Sequence, residues 1–230
     1  MKLDLDTGIT LAFDRHGEPD APAVVMLHGL SSNRTDYDVV VARLSGRIER
    51  GEIQVIAVDL RGHGESGHAA ADAYVAKLYA ADVAAALDVL GIGSAICVGH
   101  SLGGVVCSAL ATLRPDLVAA LFLEDPPTFE GDAERRASSP AAQFFPVIVR
   151  SVRALRDAGA TEAEYGALTM PGLLPEQIAR RAWSLSRWDP AAMEAAISGL
   201  MWHDFDPLAV PSCPITVLRA DPAVGAVFTE

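Results

Sequence analysis

Basic residues are scarce in this 230-residue sequence: 18 Lys and Arg stand against 30 Asp and Glu, a net charge of −12. No basic run occurs, which argues against a nucleic-acid or anionic-membrane partner. Long apolar runs are missing too. The longest Ala-rich stretch, residues 69–90, is broken by Asp72, Lys77, Asp82 and Asp88, and nothing approaches the ~18 apolar residues of a membrane span. Met1 to Asp6 alternates and carries acids early, unlike a signal peptide. Cysteine is limited to Cys97, Cys107 and Cys213, an odd set without C-x-x-C spacing. Each sits among apolar neighbours and reads as a small buried hydrophobe in a reducing, cytoplasmic compartment. The histidines are scattered, with no H-x-x-x-H and no Cys/His cluster, so neither a metal nor a cofactor is expected. Repeats, low-complexity runs and Pro/Ser-rich linkers are also lacking. One domain with insertions fits this length.

What is present is a regular alternation. Leu3 to Asp6 and Ile9 to Arg15 read as two short strands joined at Thr7-Gly8. Ala23 to Leu27, Ile53 to Val58 and Ala95 to Val98 are continuous apolar runs, as strands covered on both faces require. Leu121 to Leu123 and Ile215 to Leu218 read as further strands. Between them, Asp36 to Glu49, Tyr74 to Leu90 and Leu102 to Leu113 have helical patterning; the second stops at Gly91 and the third before Pro115. Strand–helix alternation predicts an α/β fold: a mostly parallel, doubly wound sheet with helices on both faces. The predicted core is 1–125 and 215–230. Residues 126–214 read as a helical cap insertion over the sheet's C-terminal edge, with helices near 144–158, 175–185 and 190–200. That segment holds Trp183, Trp188 and Trp202.

Chemistry concentrates at Gly99-His100-Ser101-Leu102-Gly103-Gly104, a G-x-S-x-G between a predicted strand and a predicted helix. A strand that turns at once into a helix strains its turn residue, and neighbouring Cβ atoms would clash there, so glycines flank it. The strain exposes the serine, and the helix N-terminus aims its N–H groups at the same point.

With His28-Gly29-Leu30 and the run Asp59-Leu60-Arg61-Gly62-His63-Gly64-Glu65-Ser66 in order before it, this elbow resembles that of the α/β-hydrolase superfamily, in its single-domain bacterial esterase form. The resemblance covers nearly the whole chain. It implies a serine hydrolase that acts on an ester, thioester, lactone or similar activated carbonyl through an acyl-enzyme on Ser101. The oxyanion donors would be the backbone N–H groups of Leu30 and Leu102. Haloalkane dehalogenases and epoxide hydrolases are also similar, but they need a carboxylate where this chain has Ser101. His28 and His63 read as structural histidines, and His100 points away from its neighbour in so tight a turn.

The acid has three candidates. Most members of the superfamily place it after the strand that is here Ile215 to Leu218, where the count falls on Ala223 and the nearby acid is Asp221. A minority take it from the end of the preceding strand, about two dozen positions after the nucleophile, which matches Asp125. Asp125 is favoured over Asp221 and Glu124; its structural alternative is the start of a turn into Pro126. The superfamily's histidine lies beyond one more helix and strand, whereas this sequence stops at Glu230, with His203 the one histidine outside its first half. Either the polypeptide is longer or the form is truncated; a form ending at Glu230 is expected to be near background in activity and prone to associate through its last strand. A non-catalytic ligand-binding protein on the same fold is the second reading. The substrate is expected to be a small molecule with an apolar part, because Phe144, Phe145, Met170, Leu173, Leu174, Trp183 and Trp188 fall in the cap.

Overall fold

The computed structural model describes residues 1–127, 133–138, 140–169, 171–203, 205–206 and 209–221. Met170, Ala223 and Glu230, all named above, lie outside the described residues.

Seven strands form one sheet: β1 (Lys2–Asp4), β2 (Thr10–His16), β3 (Ala23–Leu27), β4 (Gln54–Val58), β5 (Ala95–His100), β6 (Val118–Glu124) and β7 (Ile215–Leu218). Their spatial order is β1-β2-β4-β3-β5-β6-β7. β1 and β2 pair antiparallel with each other, β2 pairs antiparallel with β4, and every later pairing is parallel. The helices are α1 (Asp38–Glu49), α2 (Ala76–Val89), α3 (Leu102–Leu113), α4 (Ala133–Ser138), α5 (Pro140–Asp157), α6 (Pro175–Arg187) and α7 (Pro190–Ser198).

The two-residue period of the central strands sorts their side chains onto two faces. Val25 and Leu27 join Ile56, Val58, Cys97 and Leu121 in the main core with Tyr79, Val83 and Leu87 of α2 and Val106 and Leu110 of α3. Val24 and Met26 face the other way, with Val55, Ala57 and Val98, onto Val41, Leu44 and Ile48 of α1. Those three α1 residues recur at helical spacing, so one stripe of an otherwise solvated helix covers that face. Farther along the sheet the cover ends: Ile96 is 44 %, Phe122 38 % and Leu218 51 % exposed. Among the described residues β7 is the outer strand.

Several bounds differ from the sequence reading for local reasons. The helix expected from Asp36 opens as a 3₁₀ turn, Arg34–Tyr37, because the Asn33 side chain accepts from Thr35 N–H at 2.8 Å and caps it. β6 begins three residues before the apolar run suggested, at Val118, which follows the 3₁₀ turn Pro115–Leu117. Helix α4 and a 3₁₀ segment, Glu162–Leu168, were not anticipated. The helices between β6 and β7 have a small apolar cluster of their own, built on Ile148, Val149, Val152, Tyr165, Ala182, Leu185, Trp188 and Met193. Trp188 is fully buried there, while Trp202 packs into the main core. Trp183 carries the Arg187 guanidinium 4.5 Å from its ring centroid.

Candidate active site

Ser101 stands where β5 becomes α3, with φ 49° and ψ −113°. A non-glycine residue with positive φ costs of order 1–3 kcal/mol and persists only where its surroundings over-determine it. Here they do. Ser101 N–H donates to the Glu124 carbonyl at 2.8 Å, and the Ser101 carbonyl accepts from Gly104 N–H at 2.9 Å. The flanking glycines serve close backbone approach. A Cβ on Gly99 would lie 2.3 Å from the Gly103 carbonyl carbon, and one on Gly103 would lie 1.8 Å from the Leu27 carbonyl oxygen. The strand, the helix and the end of β3 therefore close on one another through backbone atoms, and no side chain fits between them.

This geometry predicts a sharp contrast between two substitutions. Gly103→Ala is expected to lower the unfolding free energy by about 3 kcal/mol or more, since the backbone it meets cannot yield. Gly93→Ala, where nothing lies within 4 Å of the added carbon, should change it by less than about 0.5 kcal/mol. Urea midpoints at constant m-value read both. Equal midpoints for the two variants would show that the elbow is not closed this way.

Around the serine, the sheet's C-terminal edge gathers two further segments. β5 and β6 run in register with His100 beside Glu124, which places Asp125 next to Ser101 across the strand ends. Asp125 is buried, has φ 45°, and donates its N–H to the Leu218 carbonyl at 2.8 Å. Glu124 and Asp221 are exposed. Pro126 follows directly, and a Cβ on Gly104 would come within 3.0 Å of the Pro126 Cβ. The second segment is the loop after β3. A Cβ on Gly29 would lie 2.7 Å from His100 Nδ1 and 3.5 Å from Ser101 Cβ, so this loop reaches the elbow and the His100 ring rests on it. Gly29 to Ser32 form a turn closed by Ser32 N–H to the Gly29 carbonyl at 3.1 Å, with Ser31 at φ 61°. Among the described residues, the N–H groups of Leu30 and Leu102 have no backbone acceptor. Leu30 packs its side chain against both the main core and the helical cluster.

The D-x-R-G-x-G-x-S run is the scaffold beneath that turn. Asp59 is fully buried, accepts from Arg34 N–H at 2.8 Å and Glu65 N–H at 2.9 Å, and pairs with the Arg34 guanidinium. Burial pushes its carboxyl above the usual range, against the pull of Arg34 and the two N–H groups. Arg61 forms a buried fork on Asp82 at 2.6 and 2.8 Å. Ser66 Oγ donates to the Asp59 carbonyl at 2.6 Å and accepts from Ala12 N–H at 2.8 Å.

His28 and His63 are fully engaged in the same scaffold. His28 Nε2 accepts from Leu60 N–H at 3.0 Å while Nδ1 faces the Gly29 carbonyl at 2.8 Å; His63 Nε2 accepts from Ser31 N–H at 3.3 Å while Nδ1 faces the Arg61 carbonyl at 2.8 Å. Each Nε2 must be bare to accept, so the proton sits on Nδ1 and both rings are neutral. Burial lowers His28 to about 4 and His63 to about 3. Their structural reading from sequence agrees with this geometry. His16 lies at the far end of the sheet, opposite Val55. His68 lies 3.6 Å from Asp189 and is exposed, as is His203.

The two buried rings predict acid sensitivity. In the unfolded chain they titrate near 6.5. Below that pH the unfolded state binds more protons than the folded one, so this contribution is full above pH 6.5 and is lost as pH falls toward 4 for His28 and 3 for His63. Between pH 6 and 5 the loss should be about 2–3 kcal/mol for the pair. Urea unfolding at the two pH values measures it. His63→Gln, which keeps a donor and an acceptor, should roughly halve the slope; an unchanged slope would remove His63 as its cause.

Among the described residues no group of three His, Cys, Asp or Glu side chains could hold a metal ion, and no helix is long and apolar enough to cross a membrane.

Comparison with known proteins places this arrangement. A family model described as the alpha/beta hydrolase fold matches residues 22–208. The sn-1-specific diacylglycerol lipase ABHD11 of Mus musculus is 36 % identical over 109 residues, 47 % of this chain and 34 % of that protein. Lipase LipV of Mycobacterium tuberculosis is 43 % identical over 122 residues, 51 % of this chain and 42 % of that protein. The aligned segments thus span well under half of these curated relatives. A thermophilic esterase from Thermogutta terrifontis superposes with TM-score 0.65 at 27 % identity, covering 94 % of this chain and 78 % of that one. A hydrolase from Pseudomonas aeruginosa superposes with TM-score 0.69 at 22 % identity, covering 94 % and 78 %. With the matched model spanning most of the sheet, the elbow and the helices after β6, the chain belongs to the α/β-hydrolase fold family.

Proposed function

We propose that this protein is a serine hydrolase that cleaves an ester, thioester, lactone or similarly activated carbonyl compound with an apolar part. The observation that carries this reading is Ser101, held at positive φ between a strand and a helix, with Asp125 beside it and the Gly29–Ser32 turn against it. Ser101 Oγ attacks the carbonyl carbon, its proton passes to a general base, and the leaving group departs protonated. Water then hydrolyses the acyl-serine by the reverse proton route. The Leu30 and Leu102 N–H groups donate to the oxyanion, each worth about 10²–10³ in turnover by analogy with other acyl-transfer sites. Asp125 is the acid that orients the base and stabilises its protonated form. His28 and His63 are committed to the scaffold and are not that base.

The helices after β6 serve in this reading as a cap. Leu30 touches their apolar cluster, and Phe145 and Trp183 stand partly exposed on them. The lipase and esterase names of the relatives support an acyl substrate. The low count of basic residues supports a small-molecule partner over nucleic acid or an anionic membrane. The test is hydrolysis of short p-nitrophenyl esters by the native gene product, with a fluorophosphonate probe followed by peptide mass mapping. A single adduct on Ser101 is expected. An adduct elsewhere, or an unlabelled protein that binds ester-like ligands without turnover, would favour a ligand-binding role on the same fold.

A further inference from the structure

The turn that presents Leu30 is held from above as well as from below. Below it, Ser31 N–H donates to His63. Above it stands Arg181, on helix α6, 150 positions away in sequence. Its guanidinium donates to the Ser31 carbonyl at 2.7 Å and to the Ser31 Oγ at 2.9 Å. One turn along the same helix face, Ser184 Oγ accepts from the Asn33 side-chain amide. Two residues of α6 thus grip two residues of the loop, 31 and 33.

The chemistry of the grip is specific. Ser31 has positive φ without being glycine, so the turn is not one the chain adopts by local preference. A planar fork bonded to both the carbonyl and the hydroxyl of Ser31 fixes the Ser31–Ser32 peptide, whose Ser32 N–H donates at 3.1 Å to the Gly29 carbonyl of the peptide that bears the Leu30 N–H. Burial lowers the Arg181 pKa, and the Asp36 carboxylate works against that loss. A cation placed where water is partly excluded, bonded to a neutral serine, serves position better than solvation.

We propose that Arg181 is a positioning residue for the oxyanion turn: it holds the Ser31–Ser32 peptide, and through the Ser32–Gly29 turn bond keeps the Leu30 N–H aimed at the oxyanion, and it makes the seating of α6 a condition of catalysis. This rests on the reading of Leu30 as an oxyanion donor.

The experiment compares wild type, Arg181→Met, Arg181→Lys and Ser101→Ala in the native gene product, using a p-nitrophenyl ester and the matching thionoester. Arg181→Met should lower kcat for the ester about 10–100-fold with KM changed less than about threefold, a transition-state loss. The oxygen ester should lose more than the thionoester, because sulfur accepts hydrogen bonds weakly and gains little from the turn. Arg181→Lys, with one point charge in place of the fork, should recover part of the ester rate. A merely structural role would lower both substrates alike and leave their ratio unmoved. That result, or full activity in Arg181→Met, overturns the proposal. Activity retained in Ser101→Ala, or no turnover in wild type, overturns the underlying reading and this inference with it; loss in Ser101→Ala with an unmoved ratio in Arg181→Met overturns this inference alone.

Discussion

Ser101→Ala is expected to reduce ester turnover by about 10⁶, the cost of removing the nucleophile in a well-studied serine protease. The magnitude follows from the role proposed for the residue. Without Oγ no acyl-enzyme forms, and only the donors at Leu30 and Leu102 and the bound orientation remain to help water attack. Those supply a residue of catalysis of about 10³–10⁴ over the solution reaction. The fold should be unaffected: Ser101 is the N-cap of α3 but makes no side-chain capping bond, and Ala tolerates the turn no worse than Ser. Unchanged urea midpoint with lost turnover and lost fluorophosphonate labelling is the expected combination. A variant that keeps its activity would remove Ser101 from the mechanism and leave the strained elbow without a chemical role.

Asp125→Asn should cost about 10⁴ in turnover, the effect of the corresponding amide in a serine protease, where the histidine takes the wrong tautomer and loses the charge that stabilises its protonated form. The position explains why one atom matters so much. Asp125 follows β6 directly, is buried, and is fixed through its backbone N–H to Leu218 at 2.8 Å. Its backbone is therefore fixed at the strand edge that carries Ser101. Asp221 lies beyond β7 and is exposed, so Asp221→Asn should change turnover little. kcat/KM for one ester across both variants decides between them. The reverse ranking would move the acid to the loop after β7.

The elbow was legible because its requirements are local. Gly99, Ser101 and Gly103 fall within five residues, and the apolar run before them and the helical pattern after them mark the turn. The alternation of strands and helices was legible for the same reason: the unbroken apolar character of runs such as Ala23–Leu27 reports two-sided burial. Bounds shifted where a cap or a short 3₁₀ turn intervened, as Asn33 does before α1. The choice among Asp125, Asp221 and Glu124 was narrowed from sequence by spacing alone. Strand register adds what spacing lacks, because it sets Asp125 beside Ser101 while Glu124 projects to solvent.

By itself, then, the sequence determined the class of fold, the place of the strand–Ser101–helix elbow and the three glycine-bearing segments that meet around it, since each is written in neighbouring residues. Only the tertiary structure decided what those segments rest on. His63 carries the Ser31 N–H, Arg34 reaches Asp59 across 25 positions, Arg61 forks onto Asp82 across 21, and Arg181 grips Ser31 across 150. Nothing in the local pattern of an arginine says which carbonyl or carboxylate it will meet. That is settled by crossover connections that bring distant strand ends to one edge of a sheet, and by the cost of leaving a buried polar group unpaired once they arrive there.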